Sequence, residues 1–244
     1  MAKSPKKLKK ITVVIPCYNE EKGIGKVIKD IPKKKLKKLG YKTEVLVIDN
    51  NSSDKTANIA RNNGTRVITE EKQGKGNAIR AGFRNVSKDT DFVVMLDGDN
   101  TYKSYEIPRL IEPLDSGFCD VIIGSRLEGK MNGRSMSFSH KAANWFFTFI
   151  VRHFYQANVT DTCTGYFAWK AKTIRKLNGY IKSEGFAIEA EMITKLARLG
   201  HKIYSVPITY DPRHGKSNSH LSPIKDGFKI TWMLIKNMAW KPGR

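Results

Sequence analysis

Two aspartates in this chain stand in a pattern that could hold a metal ion. Asp97 and Asp99 follow directly on an apolar run, Phe92 to Leu96, and a single glycine separates them. Because side chains alternate along a strand, the two carboxylates can converge only if the chain turns at Gly98. Paired carboxylates at the end of a strand suit Mg²⁺ or Mn²⁺ held against substrate phosphates. The alternative is an ordinary polar turn, since Asp-Gly is a common turn dipeptide.

The elements that must position these aspartates alternate between strand and helix. Runs rich in Val and Ile predict buried strands, and they are Ile11–Pro16, Glu44–Asp49, Arg66–Thr69, Phe92–Asp97 and Asp120–Gly124. Helical patterns lie between them, near residues 20–31, 53–63, 75–86 and 104–115. Repeated strand–helix–strand units predict an α/β fold with a doubly wound, mostly parallel sheet flanked by helices.

Polar residues follow three of the predicted strands, at the ends where parallel sheets collect their ligands. The residues concerned are Tyr18, Glu20, Asp49, Asp97 and Asp99. Lys75, between two glycines, opens the third helix, where flexible backbone and a cation suit an anion or a base edge. These residues together predict a nucleotide site at one edge of the sheet, and a solvated loop edge is the alternative.

The chain is strongly basic. Its 244 residues carry a formal net charge of +21, which implies an anionic partner. Lysines cluster within residues 3–10 and 33–38, although solvated surface on a Lys-rich protein is an equal explanation. No nucleic-acid-binding fold and no interleaved aromatic residues accompany these runs. We therefore favour an anionic membrane surface over nucleic acid as the partner.

The cysteines and the apolar segments bear on the cellular location. The 3 cysteines lie far apart without metal-ligand spacing, and they predict reduced thiols in a cytoplasmic protein. No signal peptide is visible, and no apolar stretch reaches the length of a spanning helix. We expect a protein that is peripheral on the cytoplasmic face of the membrane.

The second half of the chain carries two helices that suit a membrane surface. Ala142–Tyr155 predicts a helix crowded with aromatic residues, and Leu127–Ser139 before it predicts a mobile loop. Near the C-terminus one helical face combines Ile224, Phe228, Trp232 and Ile235, beside a stripe of Lys225, Lys229 and Lys236. This pattern is typical of a helix in the lipid headgroup region, and packing on the protein core is the alternative.

Four motifs, in their order and spacing, resemble the family 2 glycosyltransferases: Val13–Glu20, Asp49–Thr56, Gly74–Gly76 and Asp97–Asp99. Further on, Gly124–Arg126, Asp161–Gly165 and Arg213–Ser217 resemble the dolichyl-phosphate sugar synthase branch of that family. The resemblance implies the GT-A fold over residues 11–220, after a basic tail at 1–10 and before an amphipathic helix and tail at 221–244. It also implies a nucleotide-diphosphate sugar as donor and Mg²⁺ or Mn²⁺ as cofactor.

The resemblance also implies roles for individual residues. The nucleoside pocket would be lined by Pro16, Tyr18, Glu20, Asp49 and Lys75. Asp97 would lie at the ribose and the metal, and Asp99 would ligate the metal that bridges the diphosphate. Arg126, Arg213 and Lys216 would reach the diphosphate and the acceptor phosphate, as cationic side chains do.

The chemistry that the resemblance implies is direct displacement at the anomeric carbon, with inversion. A phosphate monoester acceptor is already ionised near neutral pH, so no strong general base is required. A hydroxyl acceptor would need a carboxylate, and Glu189 or Glu191 could supply it, although on a helix they lie on different faces. Glu189 orients the sugar in one interpretation and is an exposed helical residue in the other.

The sequence therefore predicts an inverting glycosyltransferase that moves a sugar from a nucleotide donor to dolichyl or polyprenyl phosphate at the membrane surface. The alternatives are a family 2 enzyme that acts on a glycan hydroxyl, and a catalytically silent module that binds a nucleotide sugar at the membrane. Some relatives carry Gln as a further metal ligand where this chain has Thr101. That difference, with Asp49-Asn50-Asn51, favours a UDP-sugar over GDP-mannose as donor.

Overall fold

The structure, a computed structural model, describes residues 7–133, 135–213 and 223–243. Within these ranges the chain forms a 7-stranded sheet. Its strands are β1 (Lys9–Cys17), β2 (Tyr41–Asp49), β3 (Arg66–Thr69), β4 (Phe92–Met95), β5 (Val121–Met131), β6 (Phe167–Lys170) and β7 (Ile203–Tyr210). Their order across the sheet is β3-β2-β1-β4-β6-β5-β7.

Most of the sheet is parallel. β1 pairs in parallel with β2 and β4, β2 with β3, and β5 with β7. β6 runs antiparallel between β4 and β5. β1, β2 and β4 therefore end at the same edge, and the strand order reverses between β1 and β4. Ligands bind at such a switch point because the loops diverge there and leave a crevice.

Two layers of helices cover the sheet. One layer holds α1 (Ile24–Lys29), α2 (Lys33–Lys38), α3 (Thr56–Asn62) and α5 (Ile107–Asp115), with a short 3-10 helix at Ser104–Glu106. The other holds α4 (Lys75–Arg84), α6 (Phe138–Tyr155), α7 (Ala171–Leu177), α8 (Ile188–Arg198) and α9 (Pro223–Met238).

Each face of the sheet packs its own hydrophobic core. Along β1, Val14 belongs to the core under α4, whereas Val13 and Ile15 belong to the core under α1. All three side chains are fully buried. Strands that are covered on both faces need apolar residues at every position, which is why their sequences read as continuous runs of Val and Ile.

The predicted α/β fold with a doubly wound, mostly parallel sheet is confirmed. Several segments differ from the sequence prediction, which has no counterpart of β6, α7 and β7. The lysine run at 33–38 forms α2, which buries Leu36 and leaves its lysines in solvent. The loop predicted over Leu127–Ser139 is wrong at both ends. β5 runs on to Met131, because Lys130 and Met131 pair with Thr209 and Tyr210 of β7. α6 already begins at Phe138.

The C-terminal helix α9 has two different faces. Ile230, Leu234 and Asn237 are buried, and the helix packs against α6 and α8. Phe228 and Trp232 point away from the core and remain 74% and 61% exposed. Packing on the core therefore holds for one face of this helix, and membrane binding by the exposed face stays a prediction. No helix in the described ranges is both long enough and apolar enough to cross a membrane.

Trp169 of β6 provides a test of the packing described. Its buried ring stacks on Phe167 at 5.1 Å and meets Phe83 edge-on at 5.4 Å between centroids. We expect Trp169→Ala to lower the free energy of unfolding by about 3–5 kcal/mol, because these contacts are lost and a cavity remains. Trp145→Ala, on the exposed side of α6, should change it by less than about 0.5 kcal/mol. Urea denaturation measures both, and equal losses would contradict this packing.

Candidate active site

Asparagines in the left-handed conformation turn the chain just after three strands. Asn19 follows β1, Asn51 follows β2 and Asn100 follows β4, with φ values of 55°, 61° and 62°. Asn tolerates this region because its short polar side chain can hydrogen-bond locally. The first two loops are joined, since Asn19 Oδ1 accepts from Ser53 N at 2.9 Å and Asn19 N donates to Ser52 Oγ at 3.0 Å. The turns bring the polar segments together at one edge of the sheet.

These loops enclose a cavity of about 380 Å³ at the switch point between β1 and β4. It is lined by Pro16, Cys17, Tyr18, Glu20, Asn50, Gln73, Gly74, Lys75, Ala78, Asp97, Gly98, Asp99, Phe186 and Arg213. A cavity of this volume suits a small molecule. Its lining combines aromatic rings, carboxylates and cations, which are the groups that a base and a diphosphate require.

Lys75 lies at the centre of a partly buried cluster of charges. Its Nζ is 2.9 Å from Asp97 Oδ1 and 2.7 Å from Glu189 Oε1. Burial alone lowers the pKa of Lys75, but the neighbouring carboxylates outweigh burial and raise this pKa above its usual value. Burial raises the pKa of Glu189, and the charge of Lys75 partly offsets that rise. Lys75 is therefore protonated, and Glu189 is a buried ion-pair partner, not an exposed helical residue.

Two neighbours hold Asp99 in place. Arg213 Nε lies 2.9 Å from Asp99 Oδ2. Asp99 Oδ1 accepts hydrogen bonds from Thr101 N at 3.0 Å and from Thr101 Oγ1 at 2.6 Å. The turn before Asp99 requires glycine, since a Cβ on Gly98 would lie 2.5 Å from Sγ of Cys17. Asp97 and Asp99 both line the cavity, as a turn at Gly98 predicts.

Glu20 adds a third carboxylate to the same cavity. Burial raises the pKa of Glu20 to about 8, and the charges of Asp99 and Asp97 add to that rise, whereas Arg213 opposes it. Carboxylates that are crowded in this way resist ionisation until a cation compensates them.

Asp97 and Asp99 fit a divalent cation that also binds the substrate. Their carboxylates supply the hard oxygen ligands that Mg²⁺ and Mn²⁺ prefer. Within the part of the chain that the structure describes, no three His, Cys, Asp or Glu side chains form a metal site by themselves. Mg²⁺ typically takes one or two carboxylates and completes its shell with water and substrate phosphates. The donor set therefore suits a metal that is bound together with a diphosphate.

Most of the predicted site residues line the cavity, namely Pro16, Tyr18, Glu20, Lys75, Asp97, Asp99 and Arg213. Glu189 contacts the site through Lys75. Asp49 is buried and not part of the lining, and its Oδ1 has no hydrogen-bond partner among the described residues. Lys216 lies outside the described residues, as does the side chain of Ile224.

Arg126 does not line the cavity in this structure. Its Nε and Nη2 each lie 2.8 Å from an oxygen of Asp161, which forms a bidentate ion pair. Asn144 Nδ2 also donates to Asp161, at 2.7 Å, and the guanidinium lies over the ring of Tyr210. This buried network ties β5 to α6 and to the segment before β6. Direct contact of Arg126 with a diphosphate stays a prediction.

The sequence gives neither Asn50, which lies in the motif Asp49–Thr56, nor Phe186 a role in the site, although both line the cavity. Asn50 Nδ2 donates to the carbonyls of Glu70 and Lys72 at 3.0 and 2.9 Å, and its Oδ1 accepts from Gly74 N at 2.7 Å. Asn50 thereby fixes the loop that leads into α4. Its position directly after β2 is a usable signal, whereas Phe186 follows no strand and belongs to no motif.

Comparison with known proteins places this chain in a family. A family model described as Glycosyl transferase family 2 matches residues 12–177. Glycosyltransferase AglJ of Haloferax volcanii is 33% identical over 224 residues, which cover 89% of this chain and 68% of the relative. The dolichyl-phosphate hexose transferase of the same organism is 31% identical over 226 residues, with 93% and 92% of the two chains covered. The chain belongs to glycosyltransferase family 2, as the motifs predicted.

A solved structure shows the same fold. The glucosyl-3-phosphoglycerate synthase of Mycobacterium tuberculosis, in complex with Mn²⁺ and UDP-glucose, superimposes with a TM-score of 0.72 at 21% sequence identity. The match covers 96% of this chain and 81% of that chain. The predicted GT-A fold is confirmed by this similarity.

The raised pKa of Glu20 predicts how stability depends on pH. The pKa of Glu20 rises from 4.5 to about 8 on folding, so its contribution to stability is present at acidic pH and is lost as the pH rises towards about 8. Glu20→Gln lacks this carboxyl. As the pH rises from about 5 to about 9, we expect the free energy of unfolding of Glu20→Gln to increase relative to that of wild type by at least about 1 kcal/mol. Urea denaturation in metal-free buffer measures this gain, and a difference that is independent of pH would contradict the burial of Glu20.

Proposed function

We propose that this protein transfers a sugar from a UDP-sugar to the phosphate of a dolichyl or other polyprenyl phosphate, with inversion at the anomeric carbon. The observation that carries the proposal is the meeting of carboxylates and cations in one cavity at the carboxyl edge of the sheet. Asp97, Asp99, Lys75 and Arg213 all line it. Such a lining can bind a diphosphate and stabilise the charge that develops on it during displacement.

The donor end of the cavity favours a nucleotide sugar bound with a metal. Asp97 and Asp99 would hold Mg²⁺ or Mn²⁺, which when bound neutralises the charge that develops on the departing nucleoside diphosphate. Thr101 and Arg213 keep the Asp99 carboxylate in position, and Lys75 does the same for Asp97. We favour UDP because Thr101 replaces a Gln ligand and because the M. tuberculosis enzyme of the same fold binds UDP-glucose with Mn²⁺.

The surroundings of Glu189 favour an acceptor that is already ionised. Glu189 is buried, does not line the cavity and is engaged by Lys75 at 2.7 Å. A carboxylate in this state is poorly placed to deprotonate a sugar hydroxyl, whereas a phosphate monoester needs no such base. The relative named dolichyl-phosphate hexose transferase, which matches over nearly its whole length, supports a lipid phosphate as acceptor.

An exposed aromatic surface suits the membrane in which such an acceptor resides. On α6 it comprises Phe138, Trp145, Phe146, Phe149 and Phe154, and on α9 it comprises Phe228, Trp232 and Ile235. The two helices pack against each other, and exposed lysines flank the apolar residues of α9. Large apolar surface rimmed by basic side chains is typical of helices that lie in an anionic headgroup region. We infer peripheral attachment at the cytoplasmic face through this surface.

The lysines of α2 do not belong to that surface. α2 covers the opposite face of the sheet from α6 and α9. Membrane attachment through the aromatic helices therefore leaves the run at 33–38 facing elsewhere, which is consistent with ordinary solvated surface.

Asp99→Asn tests the proposed reaction. We expect transfer of labelled sugar into polyprenyl phosphate to fall by at least about 100-fold, because a neutral amide replaces a metal-binding carboxylate in the site. The assay offers UDP-glucose, UDP-N-acetylglucosamine and GDP-mannose in parallel with Mn²⁺, and extraction of labelled lipid reports the transfer.

Asp89→Asn is the matched control, because Asp89 is exposed and pairs with Lys10 and Lys42 at the amino end of the strands. It should retain wild-type transfer. Wild-type transfer in Asp99→Asn would refute the metal assignment. Transfer to a glycan hydroxyl but not to lipid phosphate would favour the hydroxyl alternative, and binding of nucleotide without any transfer would favour a silent binding module.

A double variant, Phe228→Ala with Trp232→Ala, tests the membrane surface. Binding to vesicles that contain an anionic phospholipid should weaken about tenfold or more, because buried apolar area provides most of the attachment. Phe118→Ala is the control, since Phe118 is aromatic, 58% exposed and packs on Tyr204, which packs against the core on the face of the sheet opposite α6 and α9. Co-sedimentation with vesicles measures the binding, and unchanged binding of the double variant would contradict the surface assignment.

A further inference from the structure

The loop between α7 and α8 is held in place by one buried carboxylate. Glu191 of α8 is 4% exposed and accepts backbone hydrogen bonds from two residues of this loop. Lys182 N donates to Glu191 Oε2 at 3.0 Å, and Ser183 N donates to the same oxygen at 2.7 Å. Charge-assisted bonds of this kind are stronger than neutral ones and fix the loop backbone.

The same carboxylate is paired with a buried cation. Lys195 Nζ lies 2.5 Å from Glu191 Oε1 and donates to the carbonyl of Tyr180 at 2.6 Å, where the loop begins. The ring of Trp240, which follows α9, covers this ammonium at 5.4 Å and packs edge-on against Tyr180 at 5.2 Å. Glu191, Lys195 and Trp240 thus form one cluster that anchors the loop.

The same loop also packs against the first turn of α4. Gly76 N has no partner within its own helix at that position, and it donates instead to the carbonyl of Glu184 at 2.8 Å. The contact is close enough that a Cβ on Gly76 would lie 2.0 Å from Ser183 O. Arg80, one turn along α4, donates to the carbonyl of Lys182 at 2.6 Å.

This first turn carries Lys75, which binds Asp97 and Glu189, and the end of the loop carries Phe186, which lines the cavity. We propose that Glu191 is a positioning residue for the donor site: with Lys195 and Trp240 it holds the 180–187 loop against α4 and so fixes Lys75 and Phe186. The proposal rests on the proposed function for the identity of the ligand, but the contacts themselves belong to the ligand-free protein.

Glu191 is not suited to act on a substrate directly. Its carboxylate already accepts from two backbone amides and an ammonium group, and it does not line the cavity. Glu189, two residues earlier, points to the other side of α8 and reaches Lys75. Glu189 therefore contacts the site through Lys75, whereas Glu191 holds the loop that shapes the site.

Hydrogen exchange in the ligand-free protein tests the mechanical link. In Glu191→Ala we expect backbone amides of peptides covering 180–187 and also 74–80 to exchange at least about tenfold faster, because loss of the loop anchor frees the Gly76 amide. Glu191→Gln should show a smaller increase, since one side-chain oxygen still accepts. Glu112→Gln, an exposed glutamate on α5, should show none. Faster exchange confined to 180–187 would overturn the proposal.

Trp240→Ala disturbs the same cluster at a different residue and provides a second test in case the Glu191 variant does not fold. It should raise exchange in both peptides, whereas Trp232→Ala should affect neither, because Trp232 faces away from the core. Unchanged hydrogen exchange in Trp240→Ala would show that Trp240 does not help to anchor the loop and would contradict the proposal as stated.

Steady-state kinetics of sugar transfer from UDP-glucose or another accepted donor test the effect of Glu191 on the donor site. We expect Glu191→Gln to raise the donor KM about fivefold to tenfold and to change kcat by less than about twofold, since Lys75 is displaced but retained. A fall in kcat with unchanged KM would mark Glu191 as catalytic and overturn the positioning role. Absence of transfer by the wild-type protein would refute the proposed function alone, because the exchange experiment needs no substrate.

Discussion

The ammonium group of Lys75 lies 2.9 Å from Asp97 and 2.7 Å from Glu189, and this partly buried contact joins three elements of the fold. Asp97 comes from the loop after β4, Lys75 from the first turn of α4 and Glu189 from the first turn of α8. The buried carboxylate of Glu189 needs the charge of Lys75, because an unpaired buried charge costs several kcal/mol. The position of the cavity wall, where we propose that a diphosphate binds, therefore depends on this cluster.

One layer of helices serves both the cavity and the outer surface. α4 and α8 supply charges to the site, while α6 and α9 turn aromatic side chains outward. α9 can do this because its opposite face buries Ile230 and Leu234 against the same core. An acceptor with a polar head and a lipid tail fits such an arrangement, since its phosphate needs cations and its chain needs an apolar surface.

Local patterns account for much of what could be predicted here. The apolar runs of β1, β2 and β4 and the polar residues after them are short-range features, so they indicated the edge at which Asp97 and Asp99 converge. The motifs added the family and the GT-A fold. The resemblance also implies contact of Arg126 with the diphosphate, which stays a prediction, and in the structure its guanidinium pairs with Asp161. Helical spacing also placed Glu189 and Glu191 on different faces of a helix but gave Glu191 no role, because the contact of Glu191 with the loop before α8 forms only in the folded chain.

By itself the sequence determined most of the strands and helices in the first half of the chain, the turn at Gly98 that brings two carboxylates to one cavity, and the family. Those features follow from residue periodicity, turn residues and motif spacing, which act over a few positions. The tertiary structure alone decided which buried charges meet, that Asn50 fixes the loop before α4, and which face of α9 remains in solvent. These contacts join residues far apart in the chain, and their energies depend on burial, which no local pattern specifies.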